Sequence, residues 1–193
     1  MEHLNNKTLI SELINRNSSF IKIVEEKYSK LSEAQLNQKP AADKWSIAEC
    51  LIHIIKADEI YLKQFETKIK AKKEADLSYK PGWLGNYFAN MIAPKQDKLQ
   101  STMKSVKAMD PQVNMELLSK EFKNGQDIIQ KFIAQQKQLN NFMQTAVNTD
   151  LASIKIQTAI PLVKIKLGDA FRFIVGHNER HIWQAEKVFE TVK

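Results

Sequence analysis

The stretch from Phe171 to Gln184, Phe-Arg-Phe-Ile-Val-Gly-His-Asn-Glu-Arg-His-Ile-Trp-Gln, sets His177 and His181 one helical turn apart inside a strongly apolar pattern. On an α-helix, positions i and i+4 share a face, with Cβ atoms about 5–6 Å apart. The face that carries the two histidines also carries Ala170, Phe173, Ile174, Gln184, Ala185 and Val188, which makes it a core face. Burying imidazoles without partners is costly, so something must satisfy them. At this spacing, two imidazoles can close on one metal ion with bonds of about 2.0–2.1 Å.

Upstream, the periodicity predicts three more long helices. Residues 6–31 repeat Leu9, Ile10, Leu13, Ile14, Phe20, Ile21, Val24 and Tyr28 at helical spacing. Residues 32–45 read as a connection through Pro40. Ser46 followed by Glu49 is an S-x-x-E capping box, which starts a second helix at Ser46 and carries it to about Ala71, with Trp45 stapling its first turn. His53 lies on the apolar face of this helix with Cys50, Ala57 and Tyr61. Residues 72–113 form a long link with a short helix over Leu84–Ala93. A third helix is expected over 114–148, interrupted by Gly125, which marks close packing or a bend. Residues 149–166 hold a short extended piece at Ile154–Thr158, and Pro161 forbids a continuous helix there. The last helix begins near Gly168.

This pattern predicts an all-α protein, a four-helix bundle with a long crossover between helices 2 and 3, in one domain over 1–193. Only 5 Gly and 5 Pro are present, too few for a turn-rich β protein. A single cysteine excludes an intramolecular disulfide, and with no signal-like start it points to a cytoplasmic protein. No apolar run approaches the roughly 20 residues of a membrane span. The net charge of +7 raises the question of nucleic acid. Only Arg16, Arg172 and Arg180 are arginines among 29 basic residues, so the charge reads as a lysine-rich solvated surface and no nucleic-acid partner is expected.

Three histidines on facing apolar stripes, His53, His177 and His181, match the way bundles build metal sites in their cores. Three imidazoles are also the ligand count of a catalytic zinc site, which leaves a position for water or substrate. Cys50, one turn before His53, is a lesser candidate for a fourth ligand. Neutral imidazole suits Zn, Ni, Fe or Cu, and an ion held by neutral ligands keeps its full charge, bringing a water or thiol toward deprotonation near neutral pH. Hydrolysis and thiol transfer both follow from that. There is no H-E-x-x-H, because Glu179 lies two residues from His177 and so on another face. Glu49 is the better-placed catalytic carboxylate, although capping competes for it. Gln184 is the second catalytic candidate, placed to hydrogen-bond a ligand or bound water. Tyr61 and the aromatics of the long link, Trp83 and Tyr87, are candidates for binding a small-molecule substrate. An apolar flank of the bundle offers a surface for a homodimer.

Trp45-Ser-Ile-Ala-Glu-Cys-Leu-Ile-His53, followed by His177-x-x-x-His181-x-x-Gln184, resembles the DinB/YfiT-like superfamily in order and spacing over most of the chain. The resemblance implies a four-helix bundle binding a divalent metal through His53, His177 and His181. Some members are similar to bacillithiol- or mycothiol-dependent transferases and isomerases, and others to metal hydrolases. The expected cofactor is therefore a divalent ion (Zn, Ni or Fe), with a low-molecular-weight thiol as a candidate second one. A non-catalytic metal-binding or sensing module is the alternative. The aromatic link at 72–113 does not match the family pattern.

Overall fold

Local capping sets where the helices begin. The computed structural model describes residues 2–69, 78–92, 94, 110–112 and 120–193. Strand β1 (Leu4–Asn5) leads into α1 (Asn6–Glu26), whose N-cap Asn5 accepts a hydrogen bond from the Thr8 amide at 3.1 Å. A 3-10 turn at Tyr28–Lys30 follows, then α2 (Glu33–Asn37). Helix α2 lies within 32–45, which the sequence pattern predicts as a plain connection; a second capping box starts it, in which Ser32 Oγ accepts from the Gln35 amide and Gln35 Oε1 accepts from the Ser32 amide. Helix α3 (Ile47–Lys68) starts at the expected cap: Ser46 Oγ accepts from the Glu49 amide at 3.2 Å, and Glu49 Oε2 accepts from the Ser46 amide at 2.8 Å.

Strand β2 (Ser78–Tyr79) pairs antiparallel with β1, and α4 (Trp83–Ile92) is the short helix expected in the link. Helix α5 (Gly125–Ala146) begins at Gly125, with Asn124 as its N-cap. Lys120 and Glu121 are helical and 122–124 are not, so the expected interruption falls just before Gly125, which starts α5; the expected helical residues 114–119 lie outside the described residues. A Cβ at 125 would stand 2.5 Å from Leu36 Cδ1, and the Gly125 amide donates to Glu33 Oε2 at 2.7 Å, so the missing side chain lets α2 dock on the head of α5. The extended piece near 154–158 is one arm of a hairpin, β3 (Lys155–Gln157) with β4 (Lys164–Lys166). Its second arm, and the left-handed backbone of Leu162 (φ 65°) at the turn, carried no sequence signal. The final helix, α6 (Leu167–Val192), runs almost to the end of the chain.

The described residues are mostly helical. Helix α1 packs against α5 and α6, α3 packs against the same two, and α4 lies on α6. Asn17, buried in α1, ties α1 to α5 by donating to the Gln136 carbonyl at 3.0 Å and to Asn140 Oδ1 at 2.9 Å. Helix α4 is clamped to the start of α6 by the fully buried Asp169. Its Oδ2 accepts from the Gly82 amide at 2.8 Å, and a Cβ at Gly85 would fall 2.5 Å from the Asp169 side chain. Arg172 completes the clamp by donating to Asn86 Oδ1 at 2.9 Å. Such a close approach fixes the rotation of α4, and with it which residues of α4 face inward.

The Ser46 cap lies just ahead of the helix that carries His53. Ser46→Ala is expected to lower stability by about 1 kcal/mol, read as a shift in the urea midpoint with the helical circular dichroism unchanged.

Candidate metal centre

His53 sits about two turns into α3, and α6 presents His177 and His181 one turn apart, so the two packed helices bring three imidazoles together. One ring nitrogen from each lies within 4.8 Å of the other two. His53 Nε2 and His177 Nε2 are 3.1 Å apart. The ring centroids of His53 and His181 are separated by 4.4 Å, and those of His177 and His181 by 4.6 Å. His53 and His181 are buried and His177 is half-buried. The indole of Trp45 closes one side of the cluster, 4.8 Å from the His53 ring and 5.5 Å from that of His181. Read from sequence as a helix staple, Trp45 is also a wall of the site.

The outward nitrogens of the α6 pair have acceptors beside them. His181 Nδ1 lies 3.2 Å from Gln184 Oε1, and His177 Nδ1 lies 3.4 Å from Asn178 Oδ1. Each contact calls for a proton on Nδ1 and leaves Nε2 as the bare nitrogen. Burial, then the neighbouring His53, pushes the His177 imidazole down to about 3. Burial, then His177 and His53, holds His181 well below its ordinary 6.5. Both rings are therefore neutral at physiological pH, the state a metal ligand requires.

These residues fit a divalent ion. Two nitrogens on one tetrahedral ion with bonds of about 2.0–2.1 Å stand about 3.3 Å apart, close to the His53–His177 separation. Among the described residues no cysteine or carboxylate joins the group. Cys50 is fully buried, its thiol is pushed up by burial, and it does not line the cavity beside the cluster, so it is not a fourth ligand here.

That cavity has a volume of about 620 Å³. The cluster forms part of its wall; Phe88, Met91 and Ile92 of α4, Ile160 and Ile165 of the hairpin, and Phe173 of α6 supply most of its apolar lining. Among the sequence candidates, Gln184 and Tyr61 line it. Gln184 holds His181 and is better described as positioning than as catalytic. Burial pushes the Tyr61 phenol up, so it stays protonated. Glu49 does not line the cavity: its carboxylate caps α3 and pairs with Lys39 Nζ at 2.7 Å. Trp83 and Tyr87 do not line it either. They are 76% and 58% exposed, on the outer face of α4, because the Asp169 clamp turns the opposite face inward.

Sequence reasoning missed Asp58 and Arg180, both buried and both on the cavity wall. Burial pushes the Asp58 carboxyl up to about 7, against hydrogen bonds from Gln136 and Asn178 that favour the ionised form. The signal that could have found Asp58 was an acidic residue at the helical spacing of the apolar Leu51, Ile54, Ile55, Tyr61, Leu62 and Phe65.

With this geometry in place, the chain can be placed among known proteins. It belongs to the DinB superfamily, whose family model matches residues 24–185. It is also similar to the uncharacterized protein YuaE of Bacillus subtilis (strain 168), with 24% identity over 166 residues, covering 84% of this chain and 88% of that protein. No solved structure matches it significantly.

Because the α6 imidazoles stay neutral, protons compete little with a metal. Zinc affinity is expected to fall less than about fivefold between pH 7.5 and 6, whereas three imidazoles of ordinary pKa near 6.5 would lose on the order of 50-fold. Competition against a chromophoric chelator at the two pH values decides between them.

Proposed function

We propose that the chain is a metal-dependent enzyme that acts on a small, mainly apolar molecule, as a thiol S-transferase or a hydrolase. The observation that carries this reading is the opening of the three-imidazole cluster onto an apolar cavity of about 620 Å³, with no fourth side-chain ligand among the described residues. A structural metal site would close its ligand set, and an open one leaves room for a reacting group. His53, His177 and His181 would hold the ion. When bound, such an ion supplies Lewis acidity, lowering the pKa of a water or a thiol toward neutrality.

The rest of the work falls to the chain itself. Gln184 keeps His181 oriented. Trp45 covers one side of the cluster and keeps bulk water from it. Phe88, Met91, Ile92 and Phe173 bind the apolar body of the substrate by removing it from water, and Tyr61 offers a protonated hydroxyl from the wall. In the same reading the four long helices form a four-helix bundle with a long crossover between α3 and α5, and residues 1–193 are one domain working in the cytoplasm without nucleic acid. No helix of the described residues is long and apolar enough to cross a membrane.

The test is turnover by metal-loaded protein on two panels. One pairs cysteine, glutathione or bacillithiol with an aryl halide or an epoxide; the other is a set of aryl esters and amides. Metal-dependent turnover on one panel, lost in His53→Ala, is expected. A metal that raises the melting temperature but gives no turnover on either panel would leave a non-catalytic binding module instead. Inside the pocket, Phe88→Ala is expected to raise KM about tenfold for an apolar substrate, while Trp83→Ala, on the outer face of α4, leaves KM and kcat as they were. Equal effects of the two variants on KM would place the substrate elsewhere.

A further inference from the structure

Helices α3, α5 and α6 meet at three polar side chains buried beside the metal centre: Asp58, Gln136 and Asn178. Asp58 Oδ2 accepts from Gln136 Nε2 at 2.9 Å and from Asn178 Nδ2 at 2.9 Å. Asn178 Nδ2 also donates to Gln136 Oε1 at 3.0 Å. The remaining polar atom of the Asn178 amide, Oδ1, faces His177 Nδ1 at 3.4 Å.

The direction of these bonds is set by chemistry at one end. A carboxylate oxygen that takes two N–H groups dictates which end of each amide faces it. Both hydrogens of the Asn178 amide are used, one on Asp58 and one on Gln136, so its oxygen must turn to His177. An oxygen facing Nδ1 favours the tautomer with the proton there, and that tautomer has its lone pair on Nε2, the atom next to His53. Flipping the amide would put its oxygen against both Asp58 Oδ2 and Gln136 Oε1, two acceptor–acceptor contacts among buried groups. It would also favour a proton on Nε2, which could then no longer ligate.

We propose that Asp58 is a positioning residue: through the Asn178 amide it holds His177 in the Nδ1–H tautomer and so presents Nε2 to the metal centre. The inference rests on the three-histidine reading above. It makes the polar cluster at the meeting of three helices the device that prepares one ligand before any ion arrives, while Gln184 prepares His181 independently.

Nitrogen-15 NMR of the histidine rings tests it on the metal-free full chain at pH 7.5, with zinc affinity measured beside it. In the wild type, His177 is expected as a single Nδ1–H tautomer. In Asp58→Leu, His177 is expected as a tautomer mixture, zinc affinity falls ten- to a hundredfold, and His181 keeps its proton on Nδ1. If Asp58→Leu does not fold, Asn178→Leu removes the link to His177 and is read in the same way. A wild-type His177 protonated on Nε2 overturns the proposal, as does an Asp58→Leu protein that keeps both tautomer and affinity. The metal reading fails separately: a wild type with Nδ1–H on His177 that binds no zinc upholds the orientation and removes the ion.

Discussion

Three imidazoles meeting nitrogen to nitrogen inside a protein are the constraint on which the rest depends. His53 and His177 bring their Nε2 atoms within 3.1 Å, and His181 completes the group. Lone pairs that converge repel unless a proton or a cation lies between them. A proton can serve one pair at a time, whereas a divalent ion serves all three. The lowered pKa values of the α6 histidines, set by burial first and then by the neighbouring imidazoles, His53 among them, remove the alternative in which those rings charge up and separate. The apolar packing of α3 against α6 thus forces a polar problem, and the ion is its simplest solution.

The surroundings read as consequences of that arrangement. Gln184 and Asn178 take the outward nitrogens of the α6 pair, Trp45 covers a flank, and α4 with the hairpin builds an apolar chamber against the open side. The chamber depends on a contact well away from the histidines, the close approach of Gly82 and Gly85 to Asp169. Substrate preference would then be tuned through α4 and the hairpin without touching the ligands.

How much of this the sequence revealed follows from how local each signal is. The cap at Ser46–Glu49 and the stripes carrying His53, His177 and His181 are written within single helices, at spacings of three or four residues, and the structure has them where the sequence puts them. The inward face of α4 is not local. Trp83 and Tyr87 look like pocket aromatics in the chain, and only the seating of two glycines on Asp169 shows that Phe88, Met91 and Ile92 face inward instead. Glu49 looked available as a base until Lys39, ten residues upstream, took its second oxygen. Asp58, Gln136 and Asn178 lie on three separate helices, so their hydrogen bonds leave no mark in any one stretch. What they do leave is polar residues where the helical period calls for apolar ones, which is the signal to weigh more heavily in chains of this class.

The central claim is that His53, His177 and His181 bind one ion together. Metal content of gently purified protein by elemental analysis, with His53→Ala and His177→Ala purified alongside, tests it most directly. About one divalent ion per chain in the wild type, lost from both folded variants, is the result the account predicts. A wild type that holds no ion even after reconstitution with Zn, Ni or Fe(II), or an ion retained in full by either variant, would contradict it.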